Sequence, residues 1–214
     1  MAEIRPMGLL AVWLHVPPER EDEFNAWYNT EHIAQITSIP GFLNGRRYMA
    51  LEGIPKYLAL YEMQDETVAA GREFQQVLTH PTPWSARMRA FYAPYRSLQT
   101  CRLIFATGEP PARDASYLYI VKMDIAAEFE QEFNEWYSQE HVPGLASTPG
   151  CLRARRFRAV EGKPKYMAVY ELENPGVPSS AAWAKARDTA WTERIRPHIQ
   201  HLERRFYQLI LPAK

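Results

Sequence analysis

With 214 residues, 46% of them hydrophobic and 23% charged, the chain has the balance of one or two folded domains rather than of a disordered or fibrous polypeptide. Lysine and arginine total 25 and aspartate and glutamate 25, so no overall field draws it to nucleic acid or an anionic membrane. Cys101 and Cys151 make neither a disulfide framework nor a CxxC metal pair, and are expected to be reduced, partly buried thiols.

In chain order, "MAEIRPMGLLAVWLHVPPERED" carries an apolar run that charge and proline interrupt before it could span a bilayer, so a cytoplasmic protein is expected. Its "GLLAVWLHV", residues 8–16, reads as a largely buried strand. A helix follows from about Pro18 to Ile36, with Phe24, Trp27, Tyr28 and Glu31 at i, i+3, i+4 and i+7 on one face. "SIPGF" ends it, because proline disfavours helix in the preceding residue and Gly41 suits a turn. "LNGRRYMA" reads as a second strand, "EGIPK" as a hairpin turn and "YLALYEM" as a third strand. A second helix around 65–80 and a closing strand at "TCRLIF" complete the series.

"TGEPPARDA", residues 107–115, reads as a linker, and beyond it the series starts again. "FNAWYNTEH" at 24–32 returns as "FNEWYSQEH" at 133–141, and "IPGFLNGRRYMALEGIPKYLALYE" as "TPGCLRARRFRAVEGKPKYMAVYE", with roughly half the aligned residues identical. This is a tandem duplication: repeats at 1–106 and 116–214, each with the order βαββαβ. In the second, "SYLYIVKMD" (116–124) is the first strand, the helices span about Ala126–Ala146 and 179–201, and "RFYQLI" closes. Helices on one sheet face leave the other apolar face bare, at roughly 25 cal/mol per Å² of apolar area, so the two repeats are expected to cover each other in a pseudo-twofold arrangement.

The pattern W.Y..EH…PG…RRY…PKYLALYE, present once per half and covering nearly the whole chain, resembles the dimeric α/β barrel superfamily, in particular its EthD-like groups. The resemblance implies an α+β fold in which two ferredoxin-like βαββαβ repeats close an intramolecular, pseudo-dimeric α/β barrel, a fused copy replacing the usual partner subunit. Members of that superfamily include cofactor-free quinol monooxygenases, polyketide cyclases, muconolactone-type isomerases and some haem enzymes, so the resemblance fixes the fold more narrowly than the activity.

His32 and His141 are the first chemical candidates, since imidazole titrates nearest neutral pH. Each is placed near a Tyr at the end of its helix, where the helix dipole would favour the imidazolium, and a structural cap is the plain alternative. The resemblance adds that a histidine there often faces the cavity. Trp27, Tyr28, Trp136 and Tyr137 are either core packing or a platform for an aromatic ligand. Alternation puts Leu9, Ala11, Trp13 and His15 on one face of the first strand, against Leu118, Ile120, Lys122 and Asp124 in the second copy. Trp13 and His15 have become Lys122 and Asp124. A lysine in an apolar strand sits at an open strand end or in a polar cavity, and in the latter case the halves have specialised.

One arginine of each "RR" pair, with Arg47 and Arg156 taken as the candidates, should face inward, toward an anionic ligand or an ion pair with Glu62 or Glu171. Tyr57, Tyr61, Tyr166 and Tyr170 share a face of the third strands and either pack or donate to an oxyanion. His198 and His201, i and i+3 on the expected last helix, have no companion ligands, and no metal or cofactor motif stands out.

The expectation is a cofactor-independent enzyme moving a proton on a small, apolar, aromatic or polyketide-like carbonyl compound. Lyase, isomerase, cyclase and cofactor-free monooxygenase chemistry all fit. The alternatives are a non-catalytic small-molecule binding or stress protein and a haem-binding enzyme. Beyond a small-molecule ligand, further pairing of two fused chains is left open.

Overall fold

A computed structural model describes residues 7–213 of the chain; the first six residues of the expected first repeat lie outside the described residues. Eight strands hydrogen-bond in the order β1-β3-β2-β8-β5-β7-β6-β4, closed as a barrel. They are β1 (Gly8–Leu14), β2 (Phe42–Ala50), β3 (Tyr57–Met63), β4 (Ser97–Thr107), β5 (Tyr117–Ile125), β6 (Cys151–Glu161), β7 (Tyr166–Leu172) and β8 (Ile199–Leu211). Among the described residues no helix is long and apolar enough to cross a membrane.

The chain divides into two compact units, which are described separately. Of the described residues, the first comprises 7–102 together with 160–162 and 209–213, and the second 103–159 with 163–208. β4 therefore passes from one to the other after Arg102, and β8 after Gln208.

In the first unit β3 lies antiparallel between β1 and β2, and β1 also pairs with β4. "GLLAVWL" is buried on both faces, as expected of a near-continuous apolar run. Leu10 and Leu14 pack into a core with Phe24, Trp27, Tyr61 and Met88. The first helical segment comprises α1 (Glu21–Trp27), a π-helical turn over Tyr28–His32, and α2 (Ile33–Thr37). The second is broken into α3 (Arg72–Thr79) and α4 (Pro83–Tyr92), where one helix near 65–80 was expected. The break falls at "HPTP", where Pro81 and Pro83 withhold backbone donors and Thr82 starts a new helix.

The second unit has the same internal order. β7 lies between β5 and β6, and β8 pairs with β5. Its first helical segment is α5 (Glu130–Trp136), a π turn at Tyr137–His141, and α6 (Val142–Ala146); its second is α7 (Ala181–Arg187) and α8 (Ala190–Ile195). Val121, Phe133, Trp136, Tyr170, Trp183 and Ile195 share the core. His198 ends a short 3-10 turn and His201 lies in β8, so the helical i, i+3 pairing does not form. His198 stacks on Phe129 and His201 Nδ1 is 2.8 Å from Asp124 Oδ2.

The turn after each first helical segment depends on glycine. Gly41 and Gly150 have φ of 94° and 86°, and a Cβ on either would stand 2.7 Å from a methyl of Val68 or Val177. Gly150→Ala is expected to destabilise the protein by about 1–3 kcal/mol in urea unfolding. A loss within the roughly 0.5 kcal/mol scatter of surface substitutions would show that the turn tolerates a side chain.

Candidate functional site

The repeated motif can be read residue by residue. In the π turn the backbone hydrogen bond reaches back five residues, Ile33 N–H to Tyr28 O, which brings side chains five apart together. Trp27 and His32 stack with ring centroids 4.4 Å apart, and Trp136 and His141 at 4.3 Å. Tyr28 and Tyr137 meet the same imidazoles edge-on at 4.9 and 5.0 Å. Each histidine thus sits between two aromatic rings in mid-segment. It is not a C-terminal cap, the structural alternative for these histidines, because α2 and α6 continue for another five residues.

The motif's glutamate organises the second helical segment. Glu31 Oε1 accepts from Trp27 Nε1 at 3.2 Å, Thr82 Oγ1 at 2.6 Å and Ser85 Oγ at 3.1 Å. Thr82 is the N-cap of α4 and accepts from the Ser85 backbone N–H. In the second unit Glu140 accepts from Thr189, the N-cap of α8, at 2.6 Å, and Trp136 Nε1 donates to Thr192 at 3.2 Å. Thr82, Ser85, Thr189 and Thr192 were not singled out from sequence. Their signal is the recurrence of "TPWS" as "TAWT", each a polar cap three residues before a second hydroxyl.

The motif's asparagine serves the buried arginine. Arg47 donates to Asn25 Oδ1 at 2.8 Å and to Asn29, and its guanidinium lies 4.3 Å from the Tyr28 ring centre. Arg156 donates to Asn134 at 3.0 Å and Ser138 at 2.9 Å, and lies 4.2 Å from the Tyr137 ring. The other arginine of each pair takes the ion pair: Arg46 with Glu62 at 3.4 Å and Arg155 with Glu171 at 2.9 Å.

Each unit has a cavity between its sheet and its helical segments. That of the first unit, about 50 Å³, is lined by Leu10, Val12, Trp27, Tyr28, His32 and Tyr61 among others. That of the second, about 70 Å³, is lined by Tyr119, Val121, Trp136, Tyr137, His141 and Tyr170 among others. On the scale in which one water takes roughly 10–15 Å³ of probe-occupied volume, each has room for a few waters.

His32, Tyr28 and Tyr61 are therefore brought together in one cavity, and His141, Tyr137 and Tyr170 in the other. Arg47 and Arg156 stand behind the tyrosines and line neither. Trp13, His15, Lys122 and Asp124 line neither cavity, because the cavity side of the first strands is the alternate set, Leu10, Val12 and Leu14 or Tyr119, Val121 and Met123. Trp13 is buried on the opposite face. His15 meets Tyr95 edge-on at 5.6 Å. Lys122 pairs with Glu203 at 2.8 Å, and Asp124 accepts from the Lys165 backbone N–H at 2.6 Å and holds His201. The Lys122–Asp124 pair is thus accounted for by local partners.

The electrostatics reverse the expected charge on the histidines. Burial lowers His32 to about 4 and His141 to about 3, Arg156 adding to the effect on the latter. Both imidazoles are neutral at pH 7. Nδ1 of His141 is buried and makes no hydrogen bond, whereas His32 has the Gln35 side chain as a poorly aligned hydrogen-bond partner. Burial also raises Tyr28 to about 12, and Tyr61, Tyr137 and Tyr170 above the ordinary tyrosine value, so all four keep their protons. Tyr61 donates to Tyr28 at 2.9 Å. Burial likewise pushes the Cys151 thiol up to about 12, which leaves it unreactive.

Residues 116–179 match a domain family of unknown function, DUF4286. Among solved structures, an anthrone oxidase-like protein superposes with a TM-score of 0.64 at 15% identity, over 100% of this chain and 94% of that one. A candidate monooxygenase from Fusobacterium nucleatum gives 0.65 at 11% identity, covering 100% and 96%. A mutant chlorite dismutase from Candidatus Nitrospira defluvii in complex with cyanide gives 0.61 at 12% identity, covering 97% and 92%. The fold is that of the dimeric α/β barrel proteins. At these identities the likeness carries the fold alone, and no curated protein matches the chain.

The neutral histidines make stability depend on pH. The unfolded chain takes up a proton at each near 6.5 and the folded protein only near 4 and 3, so stability present above pH 6.5 is lost as pH falls through that window. At pH 5 the loss relative to pH 7 is roughly 2 kcal/mol for His141, and less for His32, whose edge meets solvent. His141→Gln is expected to flatten the pH dependence of the urea midpoint by that amount. An unchanged slope would mean the imidazole is charged in the fold.

Proposed function

We propose that the chain is a fusion of two ferredoxin-like repeats and that its cavities support cofactor-free proton transfer on a small, largely apolar aromatic carbonyl or phenolic compound. The observation that carries this reading is a neutral imidazole beside protonated tyrosines in an apolar cavity of each unit, with Nδ1 of His141 without a hydrogen bond. A neutral imidazole offers a lone pair to a substrate O–H or carbonyl-activated C–H, and the imidazolium that burial disfavours is formed only as the oxyanion beside it balances its charge. The oxyanion that develops is met by a tyrosine hydroxyl, and the guanidinium behind Tyr28 or Tyr137 stabilises the negative charge. Isomerisation, elimination, cyclisation and reaction of the resulting anion with oxygen all begin with this step.

The cavity size narrows the substrate. A six-membered ring enters only as the lining side chains move aside, and a polycyclic compound must protrude from the opening. Haem ligation by either imidazole would require it to leave the tryptophan it stacks on, Trp27 for His32 and Trp136 for His141. A binding protein without chemistry would use the same cavities but would not need the imidazoles.

The test is a turnover screen of monocyclic hydroxyaromatic carbonyl compounds under air. Replacing His32 and His141 together by Gln is expected to cut turnover about 10²–10⁴-fold. The fold should stay intact, because Gln preserves a neutral polar side chain. Turnover that survives the double substitution would contradict the assignment.

A further inference from the structure

Nδ1 of His32 is buried, so a ligand in the first unit's cavity can meet only Nε2 of that ring. A neutral imidazole carries its proton on one nitrogen and a lone pair on the other, and the hydrogen bond made by one nitrogen decides what the other offers. Gln35 follows His32 by three residues in α2, which places it on the same side of the helix. It lines the same cavity, and its Oε1 is buried beside the imidazole as a poorly aligned hydrogen-bond partner. Among the described residues Nδ1 and Oε1 have no other partner. A carbonyl oxygen only accepts, so a modest rotation of the amide closes this bond with the proton on Nδ1. Buried polar atoms are nearly always paired, and hydrogen bonds that are loose in a free enzyme tighten once substrate is bound.

The groups around the ring leave this pairing uncontested. Trp27 stacks on the imidazole and Tyr28 meets it edge-on. Glu31, Arg47 and Arg89 are the charged groups that act on it. Glu31 is taken by Trp27, Thr82 and Ser85, and Arg47 by Asn25 and Asn29. Arg89 donates to the Leu78 carbonyl at 2.7 Å. In the second unit the residue three beyond the histidine is Gly144, and no side chain hydrogen-bonds Nδ1 of His141. The repeat thus runs through the histidine and stops short of this partner.

We propose that Gln35 is a positioning residue: its carbonyl oxygen holds the proton of His32 on Nδ1 and leaves the lone pair of Nε2 to the ligand, which makes His32 the better prepared base of the two histidines. This inference rests on the reading of the cavity as a site of proton transfer. When Nε2 takes the proton of a substrate O–H or C–H, the electron pair of that bond stays on the substrate as the oxyanion. The ring becomes cationic, and the bond from Nδ1–H to Gln35 strengthens because its donor is now charged. Gln35 thereby favours the state that follows proton transfer over the one that precedes it.

The experiment reads the ring nitrogens of His32 by NMR in the full chain labelled with nitrogen-15 histidine, and it needs no substrate. At pH 7 the proton is expected on Nδ1. Gln35→Met, an apolar side chain of similar length, should move the tautomer ratio about fivefold or more toward Nε2–H, the size of one lost hydrogen bond. Gln35→Glu, which sets a carboxylate where the amide oxygen stood, should raise the pH at which His32 takes up its second proton by about one pH unit or more. Glu31, Arg47 and Arg89 are the same in every variant, so these changes report on position 35. A proton found on Nε2 in the unsubstituted protein, as the Gln35 amide donating to Nδ1 would produce, overturns the inference. So does a tautomer ratio that Gln35→Met leaves unmoved. Either result leaves His141 untouched, and the proton-transfer reading itself fails only if turnover survives the double histidine substitution.

Discussion

An α-helix aligns residues three and four apart, yet the contact around which each site is built joins residues five apart. Trp27 reaches His32, and Trp136 reaches His141, because the backbone between them takes a π turn. That one inserted residue carries the histidine onto the sheet-facing side beside Tyr28 or Tyr137, where water is scarce and the charged imidazole is disfavoured. A π turn is costly on its own and persists where its surroundings hold it. Here the surroundings are the tryptophan N–H bonded to Ser85 or Thr192, and the glutamate bonded to the threonine N-cap of the following helix. The helix that carries the histidine and the helix that closes the cavity are thus fastened by one carboxylate.

The tyrosine wall depends on a second constraint, the burial of a guanidinium. Arg47 is 1% and Arg156 2% exposed, and a charge so placed must be fully satisfied. The motif supplies Asn25 and Asn29 in one unit and Asn134 and Ser138 in the other, four residues apart and so on one face of the helix, while the tyrosine ring covers the cation. Strand alternation sends the neighbouring arginine to the other face, where Glu62 or Glu171 meets it. The motif's tryptophan, glutamate, asparagine and tyrosine therefore each have a mechanical task, and Nδ1 of His141 is left unsatisfied.

Most of the strand pattern is visible in the residues. "YLALYEM" is β3 to the residue, and the alternation and turn chemistry of "SIPGF" and "EGIPK" fall where expected. The π turn is hidden because a 3.6-residue periodicity tolerates one extra residue without breaking the apolar pattern. That misplaced His32 and His141 at helix ends and reversed the sign expected of their titration. The face of the first strand was misjudged for a related reason: both faces of β1 are buried, so hydrophobicity cannot say which one meets the helices. The cavity residues Tyr119 and Val121 were overlooked in favour of Lys122 and Asp124, whose charges mark local pairing. The caps at Thr82 and Thr189 lay in segments read as loop or as the interior of a single helix, and only the tertiary bond to the glutamate gives them weight.

The central claim is that both repeated histidines are neutral inside the fold. Titrating the folded protein with nitrogen-15-labelled histidine and following the ring nitrogens of His32 and His141 by NMR tests it directly. The account predicts that both stay neutral from pH 7 down to pH 5 and protonate near pH 4 and pH 3, His141 last. Titration of either at the ordinary value near 6.5 would mean that water reaches the imidazole and that the stacked, buried turn is not the state the protein adopts.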